Sequence, residues 1–203
     1  MQKNVVLTGI ILSVLCLMAA SLLYPGGSPG DSHSPGFRWT ENYISDLLDY
    51  QAVNGADNPA RPLAVAGVLL MGLSTGLAFV RFAGKVKAKK YATVIRFGGL
   101  LFILLTALGA LPAMHDWSVT FGIILNLLLF FYVTVVLWQS PFPVFKVLAV
   151  VFLASFYGAS YMYGTKTGLE YMPLVQKITH LIQIGWLLGL EYFTSEEDFG
   201  HLA

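Results

Sequence analysis

Apolar residues in this chain gather in six long blocks, approximately 5–23, 63–80, 97–114, 119–138, 147–163 and 174–190, instead of alternating with polar ones. Runs of this length read as helices that cross a bilayer, since at 1.5 Å per residue they reach over a hydrocarbon layer about 30 Å thick. The fifth and sixth are the shortest. Proline and glycine agree with these limits: Pro62 and Pro173 stand at helix starts, where a missing N–H costs nothing, and Pro112, Pro141 and Gly164 lie at helix ends. The pattern predicts an all-α polytopic membrane protein, one domain over 1–203 built as a six-transmembrane-helix bundle.

Composition supports that class. Of 203 residues, 56% are hydrophobic and 11% charged, and the mean hydropathy of +0.69 is too high for a soluble domain of this length. A net charge of +1, with basic residues that share no face able to follow a phosphate backbone, argues against a nucleic-acid partner. The single cysteine, Cys16, lies inside the first block, so neither an intrachain disulfide nor a thiolate metal cluster can form. Lys3 followed by an apolar run and the small residues Ala19, Ala20 and Ser21 resembles a secretory leader. The 19 uncharged residues from 5 to 23 exceed the roughly 7 to 15 of a leader core, however, and an uncleaved anchor is expected.

The basic residues set the orientation. With the N-terminus in the cytoplasm, eight of the twelve fall inside (Lys3, Arg81, Lys85, Lys87, Lys89, Lys90, Arg96 and Lys146) and four outside (Arg38, Arg61, Lys166 and Lys177). The acid-free cluster from Arg81 to Arg96 resists translocation and orients the second and third helices. Six crossings return the C-terminus to the cytoplasm, and a bacterial cytoplasmic (inner) membrane is the expected location.

One connection is long. The outer loop, 24–61, is the only segment outside the membrane large enough to hold structure of its own. Its Gly-, Pro- and Ser-rich first part reads as irregular chain, whereas 39–50 has a helical pattern. Trp39, Tyr43, Ile44, Leu47 and Leu48 make one stripe, and Asn42, Ser45, Asp46 and Asp49 share the other face. A short amphipathic helix at the outer surface is expected there.

On this topology the outer side receives Asp31, Glu41, Asp46, Asp49, Asp57, Asp116 and Glu170, along with or near His33, His115 and His180. The inner side has Glu191, Glu196, Glu197 and Asp198. An extracytoplasmic polar site is one explanation, and ordinary wet loops are another. His115 and Asp116 are adjacent at the turn between the third and fourth helices, where a carboxylate can orient an imidazole, although a solvated turn explains the pair as well. Lys177, His180 and Gln183 form a stripe on the sixth helix, with Gln176 beside it. It is expected to face the bundle interior as a ligand site or an interhelical hydrogen-bond seam. Three histidines with acidic neighbours also raise a zinc site. No HExxH or HxxxH pair supports it. Asn126 reads as a packing hydrogen bond, and Gly67, Gly72 and Gly76, with Ser74 and Thr75, as close helix contact within the chain or between subunits of a homo-oligomer.

The outer segment ENYISDLL, Glu41 to Leu48, resembles the "ISDLG" signature that follows the first helix in the bacterial domain-of-unknown-function family 998, allied to the FRAG, DRAM and Sfk-like membrane proteins. LGALPAMHDWS, Leu108 to Ser118, is similar to that family's turn after the third helix. GLEYMPLVQKITHLIQIGWLL, Gly168 to Leu188, is similar to its final stretch. Leu48 stands where the family usually has Gly, and Lys177 where it usually has Arg. The resemblance implies a six-helix bundle with an outward polar site near Ser45 and Asp46, and no particular reaction.

The leading expectation is a membrane protein whose outward cavity binds a lipid headgroup or other small amphiphile. Asn42, Ser45, Asp46, His115, Asp116, Lys177 and His180 would line the cavity, with membrane lipids as partners and no cofactor. The alternative is a zinc-dependent, membrane-embedded lipid hydrolase or transferase with His115 and His180 as ligands and Asp46 as ligand or base.

Overall fold

The computed structural model describes residues 4–199. Lys3, counted above among the inner basic residues, and the final residues 200–203 lie outside that range. Six long helices follow one another: α1 (Val5–Leu23), α2 (Arg61–Lys85), α3 (Lys89–Gly109), α4 (His115–Trp138), α5 (Pro143–Thr165) and α6 (Met172–Phe193). The first five are long and apolar enough to cross a membrane, as the helices of an integral membrane protein are. The sixth has the length, but Gln176, Lys177, His180, Gln183 and Glu191 lower its hydropathy.

Charged residues lengthen two helices beyond their apolar blocks. Arg81 and Lys85 continue α2, and α3 begins at Lys89 rather than near 97. Lysine and arginine are good helix formers whose stems can lie along apolar surface, so hydropathy ends where the helix does not.

Helix α2 is the centre of the bundle, packed against α1, α3 and α6. Small residues allow this. A Cβ added at Gly72 would stand 2.2 Å from Thr106 Cγ2, and one at Gly76 only 2.5 Å from the backbone oxygen of Gly99. The glycines anticipated as close-packing positions thus serve contacts within the chain. Nearer the basic α2–α3 turn the core is aromatic. The Phe130 ring stacks on Phe152 with centroids 3.7 Å apart and on Trp186 at 4.7 Å, and Phe79 meets its edge at 5.7 Å. Trp186 donates its indole N–H to the Phe145 carbonyl at 3.0 Å, so this buried polar atom is satisfied.

Between α1 and α2 the chain forms a cap over one end of the bundle. The stretch read as irregular holds a short antiparallel hairpin, β1 (Gly26–Ser28) with β2 (Asp31–Pro35). The amphipathic helix expected over 39–50 is reduced to one 3-10 turn, Ile44–Leu48. The cause is local: Asn42 and Asp46 direct their side chains at backbone N–H groups of Arg38 and Tyr43, offering the chain an alternative to the helical ladder. Leu47, fully buried, seals the cap onto Ala20, Ala60 and Ala64. Asn58 donates to the carbonyls of Leu47 at 3.2 Å and Asp49 at 2.9 Å, closing the loop before α2.

Candidate functional site

Asn42 is the hub of the cap and has no exposed surface. Its Oδ1 accepts from the Arg38 amide at 2.9 Å, and its Nδ2 donates to the Gly27 carbonyl at 2.8 Å and to Asp46 Oδ2 at 3.0 Å. The same Asp46 oxygen accepts the Tyr43 amide at 2.9 Å, which caps the 3-10 turn. From α6, Lys177 Nζ donates to the backbone oxygen of Asn42 at 2.5 Å and to that of Pro173 at 3.0 Å, and Gln176 Oε1 accepts the Ile44 amide at 3.3 Å. Hairpin, turn and helix are thereby joined through one asparagine. Burial pushes the Asp46 carboxyl above the usual carboxylate range, and the Asp49 charge adds to this. The two hydrogen bonds and the Lys177 charge oppose the rise.

Three of the seven residues expected at the site, Asn42, Asp46 and Lys177, are therefore brought together, and Ser45 sits half-buried on the same turn. His115 and Asp116 contact one another, with His115 Nδ1 3.1 Å from Asp116 Oδ1 in the first turn of α4, and the Asp116 side chain is fully exposed. The stripe on α6 divides. Lys177 reaches up to the cap, and Gln183 turns inward to meet Asn126, whose Nδ2 lies 3.4 Å from Gln183 Oε1. His180, between Lys177 and Gln183 on the helix, is exposed. Its neighbour Thr179 is buried with an unpartnered hydroxyl. Among the described residues no group of three or more His, Cys, Asp and Glu side chains is placed to hold a metal ion, so His115, His180 and Asp46 do not form such a set.

Beside the hub lies a groove of about 300 Å³, which reading the sequence did not single out. One wall is the hairpin turn with Pro29, Gly30 and Asp31, followed by Glu41 and Tyr43. The other is the start of α6 and the turn before it, with Leu169, Glu170 and Pro173. Glu41 and Tyr43 flank Asn42 in sequence, so the hub fixes the position of this wall. Glu41 accepts from the Ser28 hydroxyl at 2.9 Å and from Arg38 at 2.9 Å, and these donors hold its carboxyl below the usual range. The groove pairs apolar and aromatic walls with three carboxylates, Asp31, Glu41 and Glu170. That combination suits a positively charged group carried on an apolar body. The excess of acidic residues on this side was the sequence signal for it. What the sequence lacked was the hairpin, which brings Asp31 next to Glu41 and opposite Glu170.

Comparison of the chain with family models, with curated proteins and with solved structures gives no match in any of the three.

Proposed function

We propose that this protein spans the membrane six times, with both termini in the cytoplasm of a bacterial cell, and binds a lipid headgroup or similar small amphiphile at its extracytoplasmic face. The site is the groove between the hairpin and the α5–α6 turn. The observation that carries this reading is the three carboxylates, Asp31, Glu41 and Glu170, gathered around one apolar-walled concavity at the end of the helices. They favour the ammonium group of a zwitterionic or cationic headgroup, while Tyr43, Leu169 and Pro173 accept its apolar part. Asn42, Asp46 and Lys177 act here as positioning residues that hold the groove wall.

The sixth crossing is supported by the way α6 disposes of its polar groups, with Lys177 and Gln176 bonded to the cap and Gln183 to Asn126. The basic α2–α3 turn supports the orientation. Membership of the domain-of-unknown-function family 998, on the resemblance of Glu41 to Leu48, fits the same six-helix arrangement.

The test is native mass spectrometry on protein extracted in mild detergent and supplied with phosphatidylethanolamine or phosphatidylglycerol of matched acyl chains. Retention of the ethanolamine lipid that falls several-fold in Glu41→Gln with Glu170→Gln, while retention of phosphatidylglycerol does not, is the expected outcome. Equal retention by this variant and the unaltered chain would overturn the assignment.

A further inference from the structure

At the opposite end of the bundle a second groove, of about 250 Å³, opens at the turn between α2 and α3. Lys87, Lys89 and Arg96 line it together with Thr93 and Gly84. The nearby cations on α2 are already engaged. Arg81 pairs with Glu191, and Lys85 donates to the carbonyls of Leu190 and Glu191 at 2.8 Å each, closing the C-terminal turn of α6. Lys87, Lys89 and Arg96 are different, because among the described residues none of them lies within ion-pair distance of a carboxylate. Three like charges around one concavity repel one another, and an anion placed among them relieves that repulsion.

The face of α3 that carries these charges continues as an apolar stripe. Lys89, Thr93 and Arg96 share one side of the helix with Phe97, Leu100 and Leu104, by the 3.6-residue period. Phe97 is 65% exposed, Leu100 50% and Leu104 54%. A basic concavity therefore sits directly at the end of an uncovered hydrocarbon-facing stripe. That is the layout of a phospholipid, with charge at one end and acyl chain at the other. Topology alone requires only that the turn be positive, not that its charges surround a groove or adjoin such a stripe.

We propose that the α2–α3 turn binds the phosphate of an anionic phospholipid between Lys87, Lys89 and Arg96, with an acyl chain lying along Phe97, Leu100 and Leu104. Thr93 supplies a hydroxyl donor at the groove. This site is separate from the acid-lined groove, and the two differ in the sign of the charge they attract.

Native mass spectrometry of the full chain in mild detergent, with phosphatidylglycerol added, reads out the proposal. Retention of that lipid is expected to fall about fivefold for each cation removed in Lys87→Gln, Lys89→Gln and Arg96→Gln. Lys90→Gln removes an equal charge outside the groove and is expected to change retention little. An equal loss in Lys90→Gln, or no loss in Arg96→Gln, would overturn the site. Soluble glycerol phosphate at millimolar concentration is expected to compete poorly, and complete displacement by it would also overturn the phospholipid assignment. Glu41→Gln with Glu170→Gln is expected to leave phosphatidylglycerol retention unchanged, so failure of the outer groove and failure of this one are distinguishable. Where a variant carrying all three substitutions does not fold, Arg96→Gln alone decides.

Discussion

Lys177 on α6 places its ammonium 2.5 Å from the backbone oxygen of Asn42, across 135 residues of sequence. Together with the Ile44 amide bond to Gln176, the contact joins the last helix to a segment otherwise tied to α1 and α2. It also puts a cation against a fully buried asparagine whose side chain already holds three partners.

Truncating that asparagine removes partners from several buried groups at once. Asn42→Ala leaves the Arg38 amide and the Gly27 carbonyl without their bonds and takes one donor from Asp46. At about 1–3 kcal/mol for a stranded buried group, a loss of roughly 3 kcal/mol is expected. Lys177→Met, which leaves backbone acceptors nearer to water, is expected to cost less. Thermal unfolding in detergent, followed by circular dichroism, orders the two variants.

Asp46 and Glu41 give opposite pH dependences. Burial raises the folded-state value of Asp46, so its contribution is fully present below the unfolded value and is lost as pH rises through the raised one. Glu41 is lowered by Arg38 and Ser28, so its contribution is present above the unfolded value and is lost as pH falls through the lowered one. Asp46→Asn keeps an oxygen for the Tyr43 amide and removes the buried charge. Its melting temperature at neutral pH is expected to stay within a few degrees of the unaltered chain, with the downward slope above the ordinary carboxylate range abolished. Persistence of that slope in Asp46→Asn would reassign it to another group.

Close packing along α2 yields a sharper contrast. A methyl group at Gly76 would meet the Gly99 backbone oxygen at 2.5 Å and Ile103 Cγ1 at 2.4 Å, and backbone cannot move aside as a flexible side chain can. Gly76→Ala is expected to destabilise by about 1–3 kcal/mol. Gly122→Ala, where nothing lies within 4 Å of the added carbon, is expected to be neutral or slightly stabilising through helix propensity. Equal melting temperatures for the two variants would show that the helices shift apart without cost.

The bundle was legible in the sequence because membrane helices write themselves as unbroken apolar runs, and five of the six blocks correspond to helices apolar enough to span. Helix ends were less legible. Arg81, Lys85 and Lys89 are polar by composition yet helical by propensity, and hydropathy weighs only the first property. The cap was misread for a related reason: the stripe of Tyr43, Ile44, Leu47 and Leu48 has helical spacing, but Asn42 and Asp46 compete for the backbone amides that a helix would need. Asp46 and Lys177 are both expected at one site from their residue types and their place on the outer side. The structure connects them through Asn42, and no spacing rule reveals a side chain that bonds to a backbone oxygen 135 residues away.

Arg81 and Glu191 test how the other end of the bundle is held. The two form an ion pair between α2 and α6, with the Glu191 side chain only 2% exposed and its Oε2 unpartnered. Removing one member leaves the other charged in a poorly solvated place, so Arg81→Met is expected to cost about 3–5 kcal/mol. Glu191→Leu frees Arg81, which is 24% exposed and can turn toward water, and is expected to cost less. Replacing both, Arg81→Met with Glu191→Leu, removes the desolvation penalty together with the attraction and is expected to recover most of the loss. A double-mutant cycle on unfolding in detergent measures the coupling. If the single losses simply add in the double variant, the pair contributes nothing beyond its separate parts, and the α2–α6 contact rests on the Lys85 bonds to the Leu190 and Glu191 carbonyls and on the aromatic packing around Trp186.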